Sequence, residues 1–198
     1  FISLVQHRFQ YLVRGKMNLS GYGCSKMLLW VISSLLLINL ASISYAESEC
    51  DQLAALEADP LSVSTPVNFA DLKAEKVIAA CSEAIITSQE KMEKARFTLQ
   101  RARGYFRAGN AVAAFNDLLV AHDLGYPAAS FGLATAHFLG DGVEKNVSRA
   151  ETLFLESYRE GVTWSARGLA LIYSEVGSHL YDTEKSILWE NKFNEEIN

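Results

Sequence analysis

Leu133-Ala134-Thr135-Ala136-His137 is followed 36 residues later by Leu169-Ala170-Leu171-Ile172-Tyr173, and the same step carries Arg149-Ala150-Glu151-Thr152-Leu153 onto Lys185-Ser186-Ile187-Leu188-Trp189. Two segments matched at one offset define a repeat. A unit of roughly 34 to 40 residues accommodates two helices and their turns, and such units stack into solenoids whose binding surface is shared among repeats.

Helix signals agree with this period on both sides of the quoted stretch. Pro127 opens a helix expected to run to Leu139, where Gly140-Asp141-Gly142-Val143 turns the chain, and Asn146 caps a helix to about Glu160 that Gly161 ends. Thr163 to Val176 and Asp182 to Glu196 repeat the plan, with Asp182 standing where Asn146 stood. Upstream, helices are expected over Glu90 to Ala108 and Val112 to Leu124, closed by Gly109-Asn110 and Gly125. A helix from the N-cap Asp71 to about Ser88 precedes them, and a short one from Cys50 to Ala58 stops at Asp59-Pro60. Leu61 to Asn68 reads as a loop, and no strand pattern competes. The expected fold is all-α, a short α-solenoid of antiparallel helix pairs with an N-terminal helical cap.

The first 46 residues contain no Asp or Glu, although the chain has 23 of them. Arg8, Arg14, Lys16 and Lys26 precede an apolar run from Met27 to Ile43, and Ser44-Tyr45-Ala46 supplies the small residues that a signal peptidase reads. The domain plan is therefore residues 1–16 as an upstream or non-native segment, 17–46 as a signal peptide starting at Met17, 47–90 as the cap and 91–198 as the repeats. Retention of the apolar run as a membrane anchor is the alternative to cleavage near Ala46. Cleavage leaves 14 basic residues against 23 acidic, a charge of −9 with His neutral, which argues against a nucleic-acid partner. Cys50 and Cys81 remain, and on the oxidising side of a membrane they are expected to pair. Two free thiols or a metal site are the alternatives, with no Cys-x-x-Cys or nearby His to complete the latter.

Ala128-Ala129-Ser130-Phe131-Gly132-Leu133-Ala134, His137, Gly140-Asp141-Gly142-Val143, Asn146 and Arg149-Ala150 together resemble the Sel-one-like repeat, a relative of the tetratricopeptide repeat. Ala134, His137, Asn146 and Leu153 replace that pattern's Gly, Tyr, Asp and Trp; the next copy keeps Ala166, Leu169, Tyr173, Asp182, Lys185 and Trp189 but lacks the Gly-x-Gly-Val turn. Ala102, Tyr105, Gly109, Ala114 and Ala121 resemble a tetratricopeptide repeat, and residues 50–81 look like the N-terminal cap of exported bacterial proteins of this class. The resemblance covers about residues 50–193 and implies a periplasmic or secreted bacterial protein, monomeric, that binds partners rather than catalysing.

It also implies where binding takes place, because such repeats use the first helix of each pair. The groove positions carried over are Arg96, Leu99, Arg103, Phe106 and Arg107 in the first repeat, Ala128, Phe131, Thr135, Phe138 and Leu139 in the second, and Trp164, Arg167, Leu171, Ser174 and Glu175 in the third. At 100° per residue, Arg103 lies about 20° to one side of Arg96 and Arg107 about 20° to the other, so three arginines share a face. Arg96, Arg103, Arg107 and Arg167 with Phe106, Phe131, Phe138 and Trp164 are expected to line a groove for a protein or peptide segment of acidic character. A solvated arginine face with the aromatics in the core is the plainer alternative.

No catalytic residue, cofactor or metal site is expected. Gly-x-Ser-x-Gly is missing, His137 falls on the repeat's aromatic packing position, and His137 with Asp141 makes too few ligands for a metal. The alternative class is a periplasmic cell-wall or β-lactam-related hydrolase or an accessory subunit of an envelope enzyme, since some disulfide-rich relatives are linked to penicillin binding. This chain lacks their cysteine pairs within each repeat. Any membrane contact is expected only through an uncleaved signal segment.

Overall fold

A computed structural model describes residues 47–197, so the signal-peptide expectation for residues 17–46 lies outside the described residues. Among those described there are eight α-helices and no strand. They are α1 (Glu49–Ala54), α2 (Ala74–Thr87), α3 (Lys91–Arg107), α4 (Ala111–Asp123), α5 (Pro127–Leu139), α6 (Val147–Arg159), α7 (Trp164–Ser174) and α8 (Thr183–Ile197). None is long and apolar enough to cross a membrane.

Consecutive helices pack as neighbours, and α5 touches both α3 and α7, whereas no contact joins α4 to α6. One face of the stack is thus built from α3, α5 and α7, with their hairpin partners behind. The main core lies between these layers and includes Leu99, Leu118, Leu133, Leu153, Leu169 and Ile172. A second, smaller core beneath α1 and α2 contains Cys50, Leu72, Val77, Cys81 and Phe97. Cys50 and Cys81 are joined by a disulfide with Cα atoms 4.7 Å apart.

The 36-residue period of the sequence recurs in the hydrogen bonds. Asn146 N donates to His137 O at 2.8 Å, and 36 residues on Asp182 N donates to Tyr173 O at 2.9 Å. Asn146 Oδ1 accepts from Arg149 N, and Asp182 Oδ1 from Lys185 N, so both act as the expected N-caps. Tyr126 N to Ala121 O likewise repeats as Val162 N to Ser157 O, at 3.1 and 3.0 Å. Packing follows the same register. A Cβ on Gly132 would stand 2.6 Å from Leu118, and one on Gly168 would stand 2.6 Å from Phe154, the residue 36 after Leu118. Absence of a side chain at this one position lets each of α5 and α7 close against the helix before it.

The turn after α5 depends on glycine for a second reason. Gly142 has φ of +76°, and a Cβ there would lie 2.2 Å from the carbonyl oxygen of Ala111, the first residue of α4. The Gly142→Ala variant is expected to lose about 3 kcal/mol, from left-handed strain and backbone overlap together. Urea denaturation of both proteins measures it; an unchanged midpoint would show that this turn does not rest on α4.

Candidate functional site

The inner face begins with α3, and its arginines do share a side of the helix. Two of the three, Arg96 and Arg103, are not open to solvent, which corrects the expectation that they line an open groove. Arg96 and Arg103 are only 8% and 9% exposed. What covers them is α1 and the strap that follows it, residues 55–72, which crosses α3 before α2 begins.

Each arginine holds a different part of that segment. Arg96 forms a two-point ion pair with Asp51, Nε to Oδ1 at 2.8 Å and Nη2 to Oδ2 at 3.2 Å. Gln100, one turn further along α3, donates to the same carboxylate at 3.0 Å. Arg103 donates from Nη1 to the carbonyls of Ala54 and Ala55 at 2.7 and 2.6 Å, and from Nη2 to that of Val67 at 2.8 Å. Arg107 is exposed and reaches the Ala70 carbonyl at 3.3 Å. The far side of the strap is pinned by Asp59, whose carboxylate accepts from Tyr126 Oη at 2.7 Å and from Leu61 N at 2.9 Å.

Local sequence explains why the segment is shaped to be held. Ser48 and Asp51 form a capping box, Asp51 N donating to Ser48 Oγ at 3.1 Å and Ser48 N to Asp51 Oδ2 at 3.3 Å. Asp51 therefore fixes the start of α1 and receives Arg96 with the same carboxylate. Burial alone would raise its pKa, but hydrogen bonds from Arg96, Gln100 and Ser48 outweigh burial and hold it below the ordinary carboxylate value. Asp59 goes the other way, since burial raises its pKa by more than the Tyr126 and Leu61 bonds lower it. Arg103 is pushed down to about 10 by burial.

The remaining groove candidates fall into separate places. Phe106 and Phe131 face one cavity of about 460 Å³, which Leu99, Thr135 and Leu139 also line and which the strap closes with Leu56 and Phe69. Phe131 also packs against Phe154 of α6, ring centroids 5.7 Å apart. Phe138 lies under the Lys145 ammonium at 5.4 Å, and Lys145 pairs with Glu175 at 2.8 Å. Trp164 and Arg167 turn toward α8. The Trp164 ring meets Phe193 at 5.2 Å, while Arg167 sits 5.2 Å over the same ring and pairs with Glu190 at 3.2 Å. Arg96, Phe138, Trp164 and Arg167 are not part of the cavity that Arg103, Phe106 and Phe131 share.

His137 packs edge-on against Phe115 at 5.5 Å, and its Nδ1 is buried without a hydrogen-bond partner. Sequence reasoning passed over Gln100, Asp51, Asp59 and Tyr126. A signal did exist for the acids: two aspartates in an N-terminal segment, facing a helix with three arginines on one side, are candidates for pairing within the chain. Among the described residues no group of three or more His, Cys, Asp or Glu side chains is placed to hold a metal ion. Compared with protein-family models, curated proteins and solved structures, the chain matches none.

The two aspartates give opposite pH dependences. Asp51, held below its ordinary value, contributes stability that is present above that value and lost as pH falls through its folded pKa. Asp59, held above it, contributes in the reverse sense, so stability declines as pH rises from the ordinary carboxylate value through its raised one. At pH 7 the Asp51→Asn variant is expected to be less stable by about 3 kcal/mol, because a buried guanidinium loses its anion. Asp59→Asn should be close to neutral or stabilising. Denaturant titrations at pH 7 and pH 3 check both, and Asp51→Asn should show a smaller loss between the two than the parent.

Proposed function

We propose that the chain is an exported, non-catalytic helical-repeat protein of Sel-one-like and tetratricopeptide type, an adaptor or regulator that binds a segment of a partner protein on its α3, α5 and α7 face. The observation that carries this reading is the strap. A face that receives one extended segment through arginine-to-carbonyl bonds, without regard to side-chain identity, has the chemistry to receive another.

Space for a second segment begins where the strap ends. Leu139 and Leu171, 58% and 52% exposed, supply apolar area on α5 and α7, with Phe138 half-buried beside Leu139. Arg107 and Arg167 remain exposed at the two ends. They support an acidic partner segment in reduced form, since Arg96 and Arg103 are buried and Arg107 and Arg167 already meet the Ala70 carbonyl and Glu190 at the surface. The recurrence of hydrogen bonds and of the Gly132 and Gly168 contacts at 36 residues supports a solenoid of stacked pairs. The Cys50–Cys81 bond supports the periplasm or the cell exterior, where disulfides persist.

Capture from a bacterial envelope extract by the tagged full chain tests the reading. Two double variants, Leu139→Asp with Leu171→Asp and Arg107→Glu with Arg167→Glu, should each retain helical content and reduce recovery of the captured partner at least about tenfold, about 1.4 kcal/mol. Recovery equal to the parent in both would refute it.

A further inference from the structure

Three walls enclose the cavity of about 460 Å³: α3 with Leu99 and Phe106, α5 with Phe131 and Leu139, and the strap with Leu56 and Phe69. Its volume falls within the roughly 300–1,000 Å³ range of small-molecule pockets. Its only polar lining residues are Arg103, Thr135 and Asp141. The Thr135 hydroxyl already donates to the Phe131 carbonyl at 2.9 Å. Phe69, Leu139 and Asp141 are exposed and mark the mouth, while Arg103 lies inside, buried.

Arg103 differs from the other buried or half-buried arginines of the domain. Arg96 meets Asp51 and Arg101 meets Asp117, each at 2.8 Å. No ion pair among the described residues includes Arg103. Its three bonds to carbonyls use three of the five N–H groups that a guanidinium carries. Carbonyl dipoles solvate a cation but leave its net charge in place, and a buried net charge is costly until an anion meets it. Burial as the sole cause of the depressed Arg103 pKa agrees with the lack of a nearby carboxylate.

We propose that this cavity is a binding site for a small amphiphilic monocarboxylate, whose carboxylate meets Arg103 and whose apolar body lies between Phe106 and Phe131. Charge complementarity selects the head group, and the scarcity of free donors and acceptors in the walls selects an unfunctionalised aliphatic or aromatic body. Asp141 at the mouth disfavours a second acidic group at the other end. The pocket shares Leu139 with the open face proposed for a partner segment but is closed by Leu56 and Phe69 of the strap, so Thr135→Phe, at a residue the partner face does not use, separates failure of the one site from failure of the other.

Decanoate is a suitable probe, titrated calorimetrically into the full chain below its micellar concentration, with 1-decanol as the uncharged control. One saturable site is expected for decanoate, with decanol at least tenfold weaker. Thr135→Phe fills the cavity without touching Arg103 and should weaken decanoate at least tenfold while helical content is unchanged. Arg103→Gln should bring decanoate down to the level of decanol; if that variant loses helical signal, Thr135→Phe decides. The proposal is overturned by equal binding of the two probes, by no saturable binding of decanoate, or by unchanged affinity in Thr135→Phe.

Discussion

The ion pair between Asp51 and Arg96 is the constraint on which the N-terminal half depends. Asp51 is fully buried, and a carboxylate so placed is tolerated only with its charge matched and its oxygens bonded. Arg96, Gln100 and Ser48 together supply that environment. Once Asp51 is fixed against α3, α1 is fixed too, and the disulfide from Cys50, the neighbouring residue, ties α1 to α2. The strap between them runs across the α3 face. Arg103 meets it there with bonds to the backbone, while Asp59 against Tyr126 and Leu56 and Phe69 at the cavity hold it through side chains.

This changes the character of the inner face along its length. At the α3 end Arg96 and Arg103 have become internal structure, and the face read from angular positions is covered there by α1 and the strap of the same chain. At the α7 end Trp164 and Arg167 are drawn toward Phe193 and Glu190 of α8. In the middle, around α5, the exposed Leu139 adjoins the cavity between α3, α5 and the strap.

What was legible in the sequence is what local geometry decides. Bounds of α5 follow from Pro127 and Gly140, the latter in the left-handed conformation that ends a helix, and the expected limits Pro127 and Leu139 are those observed. The N-caps Asn146 and Asp182 were visible for the same reason. Asp71 was not the cap it resembled: it sits in a 3-10 turn, Phe69–Asp71, and α2 starts at Ala74 after Lys73. The strap's approach to α3 sets that turn, and nothing within a few residues of Asp71 encodes it. The first helix ends at Ala54 rather than Ala58 because the carbonyls of Ala54 and Ala55 turn to Arg103. Angular position on α3 placed three arginines on one face correctly. The burial of Arg96 and Arg103 was invisible because it depends on residues 36 to 49 positions away in the chain.

The repeat itself shows which features a period preserves and which it releases. His137 and Tyr173 differ in chemistry, yet both carbonyls accept from the residue nine positions on, Asn146 and Asp182, so the backbone bond and not the side chain defines the turn. Gly132 and Gly168 are retained because the helix behind each comes too close for any side chain, whether it presents Leu118 or Phe154. Gly142 has no such counterpart: the residue 36 after it is Ser178, and the later turn uses Gly177 at φ +90° instead. The later turn therefore keeps its span and its closing bond while moving its glycine by one position. The Ala111 carbonyl against Gly142 is thus specific to one unit, whereas the closing backbone bond and the glycine contact to the preceding helix recur in both.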